Sequence, residues 1–301
     1  MDVLLILGKN LLEEGFIYGI MAIGVYITYK ILDFPDLSVD GTFPLGACVT
    51  AALLTAGMNP WLVCVIAFLC GAVAGCGTGL LHVKLHIPDL LCGIIMMTGL
   101  WTVNQFILGG FQGGSVLQFY AAPTIFTAAP MSFLPAALEK YRVLILGFVL
   151  VVAVKLLMDA FLKTKSGLLL RGAGDNSQYV TQLAQNQGKL KILGLAIGNG
   201  CTALAGCVLA QQNGSASVDM GIGMVVMALA AVIIGTSVFG RIRRLKPTTM
   251  VLLGMLIYKG ILVIAMFWLP TTFLKLTMAL LFVVALLTDK MGRKKGVVAH
   301  G

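Results

Sequence analysis

The 301 residues are 59% hydrophobic and only 11% charged, with a mean hydropathy of +0.98; soluble domains are roughly half apolar and a quarter charged, so water is excluded as the main solvent. The net charge of +9 does not point to nucleic acid, because the basic residues sit in short clusters between apolar runs, as the positive-inside rule expects of cytoplasmic loops. Cys48, Cys64, Cys70, Cys76, Cys92, Cys201 and Cys207 lie within apolar stretches with no Cys-x-x-Cys spacing, so they read as packing residues rather than as a disulfide framework or a zinc site.

In chain order, the start is apolar but carries Asp2 in place of a basic region, and no cleaved signal peptide is expected. Residues 1–14 read as a short extracytoplasmic or interfacial segment. A span takes about 20 apolar residues. Candidates run Phe16 to Leu32, Thr42 to Gly57, Trp61 to Leu81, Pro88 to Gly109, Val143 to Leu162, Ile192 to Gln211, Met220 to Gly240, Pro247 to Leu269 and Phe273 to Leu287. The expected fold is therefore all-α: one integral-membrane domain over residues 1–301 with about nine (8–10) transmembrane helices.

Between the first two spans, Asp33 to Gly46 holds three acids (Asp33, Asp36, Asp40), two prolines and two glycines. Proline removes a backbone donor and glycine relaxes the chain, and inside a membrane such a break is tolerated only against protein or a water-filled cavity. The segment thus reads as a broken helix on a solute path. A plain cytoplasmic turn accounts for Asp33 and Asp36 but poorly for Pro44 and Gly46. Ser38-Val39-Asp40-Gly41 is echoed by Ser217-Val218-Asp219-Met220-Gly221, which either reflects two related halves or is chance.

His82 and His86 have the i, i+4 spacing that can hold a metal, but no Glu lies between them and Pro88 follows, so interfacial histidines are the expectation. Met96, Met97, Trp101, Asn104, Gln105, Asn199, Thr202 and Gln211 are polar or bulky residues within spans; a solute lining competes here with interhelical packing and hydrogen bonding. Phe111 to Arg142 becomes the longest external segment, re-entrant or surface-lying. Lys155 and Asp159 stand one turn apart and are expected to neutralise each other.

The loop 163–191 carries Lys163, Lys165, Arg171, Lys189 and Lys191, the next basic cluster is Arg241, Arg243, Arg244 and Lys246, and the tail 290–301 has Lys290, Arg293, Lys294 and Lys295. If the spans alternate, all three face one side, the cytoplasm, with the N-terminus outside. Within the loop, Asp175 or Asn176 is a candidate N-cap and Gly188 a candidate stop, and Tyr179, Val180, Leu183 and Ala184 share a face. A three-turn amphipathic helix is marginal alone and gains stability by docking on the membrane or in a partner's groove. Lys259, flanked by apolar residues, either pairs with Asp219 or Asp40 on the path or snorkels between helices.

No G-x-x-x-x-G-K-[ST], G-x-S-x-G or H-E-x-x-H occurs, so the chain carries no phosphate cradle and no common hydrolase motif. No catalytic and no metal-ligating residues are assigned. Two rival classes stay on the page: an ion-coupled secondary transporter using Asp36, Asp40, Asp219 and Lys259, and an intramembrane aspartyl enzyme built on Asp40 and Asp219.

Gly19 to Val25 leading into Pro35 to Ala47, then Gly167 to Asn176, Asn199 with Ala205-Gly206, Gly221-x-Gly223, Ile234-Gly235 and Leu274 to Ala279 resemble the permeases of the branched-chain amino acid and ribose importer superfamily. The likeness is greatest to the subgroup described as tryptophan/tyrosine ABC transporter permeases, and it runs from Gly15 to Asp289. It implies an ATP-binding-cassette importer subunit in a bacterial cytoplasmic membrane, carrying a small solute such as an aromatic amino acid. The implied partners are a second permease copy, two ATPase subunits that use ATP and Mg, an extracytoplasmic solute-binding protein or lipoprotein, and membrane lipid. This chain itself would bind no cofactor. By the same resemblance, Arg171, Gly174, Asp175, Asn176, Tyr179, Val180, Leu183 and Gly188 belong to the ATPase-coupling element. Asp36, Ser38, Asp40 and Thr42 belong to the broken helix, joined on the path by Met97, Trp101, Asn104, Asn199, Asp219 and Lys259. Relatives often carry Tyr-Arg where Tyr258-Lys259 stands, and lysine lacks the planar fork of arginine.

Overall fold

The computed structural model describes residues 2–128, 136–175, 186–240, 242, 244–268, 270 and 273–298. Ten helices are described: α1 (Asp2–Val25), α2 (Val39–Thr55), α3 (Pro60–Leu85), α4 (Asp89–Gly109), α5 (Arg142–Phe161), α6 (Lys165–Asp175), α7 (Gln187–Asn213), α8 (Met224–Phe239), α9 (Pro247–Trp268) and α10 (Leu274–Val298). By length and composition seven helical segments can cross a membrane, and Val39–Thr55 and Lys275–Leu287 are shorter apolar helices. Helix α1 begins at Asp2 and ends in a π-helical turn, Tyr26–Ile31, so the segment 1–14 enters the first span without a break in its described part.

Local chemistry sets the ends. Asn59 accepts a hydrogen bond from the Trp61 amide (3.0 Å) ahead of Pro60 at the first position of α3, where a missing N–H costs nothing. Asn186 caps α7 through the Lys189 amide (3.2 Å), and Gly214 in the left-handed region closes it.

Helix α7 is the axis of the molecule. Of its most apolar stretch 78% is buried, against 22% for α4 and 28% for α5, and it packs on α1, α2 and α3. Its glycines and alanines bring backbones close, the usual basis of helix association where lipid removes the hydrophobic drive. Helices α8, α9 and α10 form a second group that joins the first through α1. The segment after α4 is not wholly loop: β1 (Val116–Gln118) pairs antiparallel with β2 (Ser215–Ser217), and the Ile125 amide donates to Gln211 Oε1 (2.9 Å).

The basic loop departs from its expected plan. Asp175 is the last described residue of α6, and Gly188 is the second residue of α7 instead of a stop, because Asn186 supplies the cap. Asn176, Tyr179, Val180 and Leu183 lie outside the described residues. All seven cysteines are free thiols, Cys64 and Cys207 with their sulfurs 3.7 Å apart.

Candidate functional site

The chain leaves α1 at the π turn and re-enters as α2 through residues 33–38. Asp33 takes a left-handed conformation (φ 53°), which aspartate tolerates better than most residues. The Ser38 amide donates to Asp36 Oδ1 (2.9 Å), Asn199 Nδ2 donates to Asp36 Oδ2 (2.7 Å) and Ser38 Oγ donates to Asn199 Oδ1 (3.2 Å). Asn199 also donates to the Leu195 carbonyl (3.1 Å), and Thr42 Oγ1 donates to the Ser38 carbonyl (2.9 Å). All four side chains are buried. Asn199 stands at the middle of the 27-residue α7, so this buried polar knot sits midway along a span-length helix, where an unpaired group is costly.

A second interruption meets the first. After β2, a 3₁₀ turn (Val218–Gly221) leads to α8, and Asp40 crosses over to accept hydrogen bonds from the amides of Gly223 (3.2 Å) and Val225 (2.8 Å). A carboxylate at a helix N-terminus answers orphan N–H groups and the helix dipole together. Pro44, four residues on, has no N–H for the Asp40 carbonyl, and Gly221 lies directly against that carbonyl, leaving no room for a Cβ. Asn104 of α4 donates to the Gly41 carbonyl (3.0 Å).

Of the ten residues expected on the path, Asp36, Ser38, Thr42 and Asn199 form one cluster, and Asp40 and Asn104 join it through adjoining residues of α2. Met97 is half-buried beside Gly41. Trp101 is 39% exposed on the outer side of α4, and Asp219 is exposed in the 3₁₀ turn. Lys259 requires a correction: its ammonium is 2.6 Å from Glu14 and 4.1 Å from the centre of the Tyr18 ring, so it ties α9 to α1 rather than pairing with Asp40 or Asp219. Lys155 does meet Asp159 (3.0 Å), and the same carboxylate also takes Lys246 (3.0 Å) and Thr248 (2.5 Å). Of the coupling residues, Arg171 and Gly174 lie on α6, and Gly174 packs directly on the Ile31 carbonyl, where a Cβ would not fit. Glu14 escaped the sequence reading because nothing local links it to a lysine so far along the chain.

The sequence matches the family described as "Branched-chain amino acid transport system / permease component" over residues 9–288. The chain belongs to this permease family. It is 39% identical over 283 residues, 94% of this chain and 91% of the relative, to the "Tyrosine transport system permease protein" of Clostridioides difficile (strain R20291). It is 29% identical over 201 residues, 66% of this chain and 55% of the relative, to the "Autoinducer 2 import system permease protein LsrC" of Escherichia coli O9:H4 (strain HS). No solved structure matches it. The permease is thus a multi-pass membrane subunit of an ATP-binding-cassette transport system, not an enzyme, and the aspartyl-enzyme reading falls. Asp40 holds backbone amides with both carboxylate oxygens, the work of a helix cap.

Proposed function

We propose that this permease forms half of the import path for an aromatic amino acid, tyrosine first, and works as a homodimer with two ATPase subunits and an extracytoplasmic binding protein or lipoprotein. The substrate class is carried by the likeness to the tyrosine permease. The path is carried by one observation: the interruption at 33–38, where Asp36 holds the Ser38 amide and Asn199 holds Asp36, adjoins the start of α8, whose amides are held by Asp40. Irregular backbone survives among membrane spans only in protein or along a water-filled route, and broken helices are where transporters build their solute sites. The route runs past Asp36, Ser38, Asp40, Thr42, Asn104 and Asn199, with Met97, Trp101 and Asp219 at its margins.

The orientation proposed has the 163–191 loop and the C-terminus in the cytoplasm and the N-terminus outside, and the three basic clusters support it. ATP and Mg act in the partner, and residues 175–188 are its handle. Gly174 against the Ile31 carbonyl supplies a short mechanical route from that handle to the π turn ahead of the break. ATP must bind one conformation better than the other for this to move anything. The test is reconstitution with the ATPase and binding protein, following labelled tyrosine uptake. Tyrosine is expected to enter with ATP and leucine to enter poorly, and changing Tyr179 and Leu183 both to Asp is expected to abolish ATPase association and uptake. Normal uptake by that double variant, or equal uptake of leucine, overturns the reading.

A further inference from the structure

His82 lies near the end of α3 and touches four elements. Its Nε2 is 2.9 Å from Lys191 Nζ on the first turns of α7. Its Nδ1 is 3.0 Å from the Ile87 carbonyl in the α3–α4 corner and 2.9 Å from Asp89 Oδ1 at the start of α4. Its ring meets the fully buried Phe34 edge-on, centroids 5.3 Å apart, and Phe34 belongs to the 33–38 break.

These partners fix the proton. An ammonium only donates, so Nε2 must accept; a carbonyl and a carboxylate only accept, so Nδ1 carries the hydrogen. In this arrangement His82 accepts from α7 and donates into the α3–α4 corner, so one ring ties the two together. A cavity of about 320 Å³, lined by His82, His86, Gln187 and Lys191 among others, gives water access to the imidazole.

We propose that His82 is the positioning residue that joins the start of α7, immediately after the ATPase-coupling segment, to the 33–38 break, and that the arrangement in which Nε2 accepts from Lys191 is the coupled state. The inference rests on the import reading above for its purpose, but the joint can be tested without it. Glutamine can place an acceptor where Nε2 stands, whereas asparagine reaches only as far as Nδ1. In the full-length permease in nanodiscs, His82→Asn is expected to speed amide exchange of residues 187–191 about tenfold, the factor one charge-assisted hydrogen bond is worth. His82→Gln is expected to stay near wild type.

In the reconstituted complex, His82→Asn should raise ATP hydrolysed per solute moved while complex assembly is unchanged. His82→Gln should restore the wild-type ratio of ATP to solute. A merely structural histidine would lower assembly in both variants alike. Equal exchange in the Asn and Gln variants overturns the joint, and equal ATP per solute in them overturns its coupling role. Absence of ATP-driven uptake in wild type would instead sink the import reading, with the exchange measurement still deciding the joint.

Discussion

Residues 33–38 interrupt the chain with two acids and a proline, and residues 214–223 interrupt it with three glycines and one acid. The first is tied by side chains: Asp36, Ser38 and Asn199 saturate one another within a buried knot. The second is tied through backbone instead, by the β1–β2 pair and by the carboxylate of Asp40, a residue borrowed from α2. Buried side chains hold the first interruption, and backbone pairing with one carboxylate holds the second.

This contrast breaks most severely at Asn199. Asn199→Ala strips a buried carboxylate of one donor and Ser38 of its acceptor, and it is expected to cost about 3 kcal/mol, read as a fall in thermal midpoint of the purified permease. Gly221→Ala comes next. Its Cβ has no space beside the Asp40 carbonyl, and the forced shift is expected to cost about 2 kcal/mol and to block transport in whatever protein still folds.

The first interruption was legible from composition, since prolines and acids amid apolar residues cannot continue a buried helix. The expected spans beginning at Trp61 and ending at Gln211 stopped just short of the caps at Asn59-Pro60 and Gly214. What could not be read was which distant groups meet. Asn199 was one of several polar candidates within spans, and only the fold sets it against Asp36. Glu14 and Lys259 are on helices far apart in sequence, and the β1–β2 pair joins two three-residue segments too short to show alternation. Gly188 misled for a local reason: a glycine signals a helix end only when no better cap stands nearby, and Asn186 does. The echo of Ser38-Val39-Asp40 in Ser217-Val218-Asp219 did mark two segments that meet, although their aspartates take different roles.

Those two aspartates sharpen the contrast with smaller effects. Asp40→Ala removes the cap on α8 and is expected to cost about 1 kcal/mol, with Asp40→Asn costing less because the amide oxygen still accepts. Thermal midpoints should follow that order.

Asp219→Asn carries the smallest effect on stability. The side chain is exposed, and a substitution there is expected to stay within about 0.5 kcal/mol of wild type. Its amide, bonded to Ser217 Oγ (3.2 Å), keeps the turn intact in the variant. Within the second interruption, the charge should matter to a zwitterionic solute passing it, through the attraction of a carboxylate for an ammonium group. The expected result is an unchanged thermal midpoint with a raised half-saturation concentration for uptake, an effect that shrinks as salt is added. An unchanged half-saturation would place Asp219 off the path and leave Asp40 as the echo's one working acid, doing its work through α8 alone.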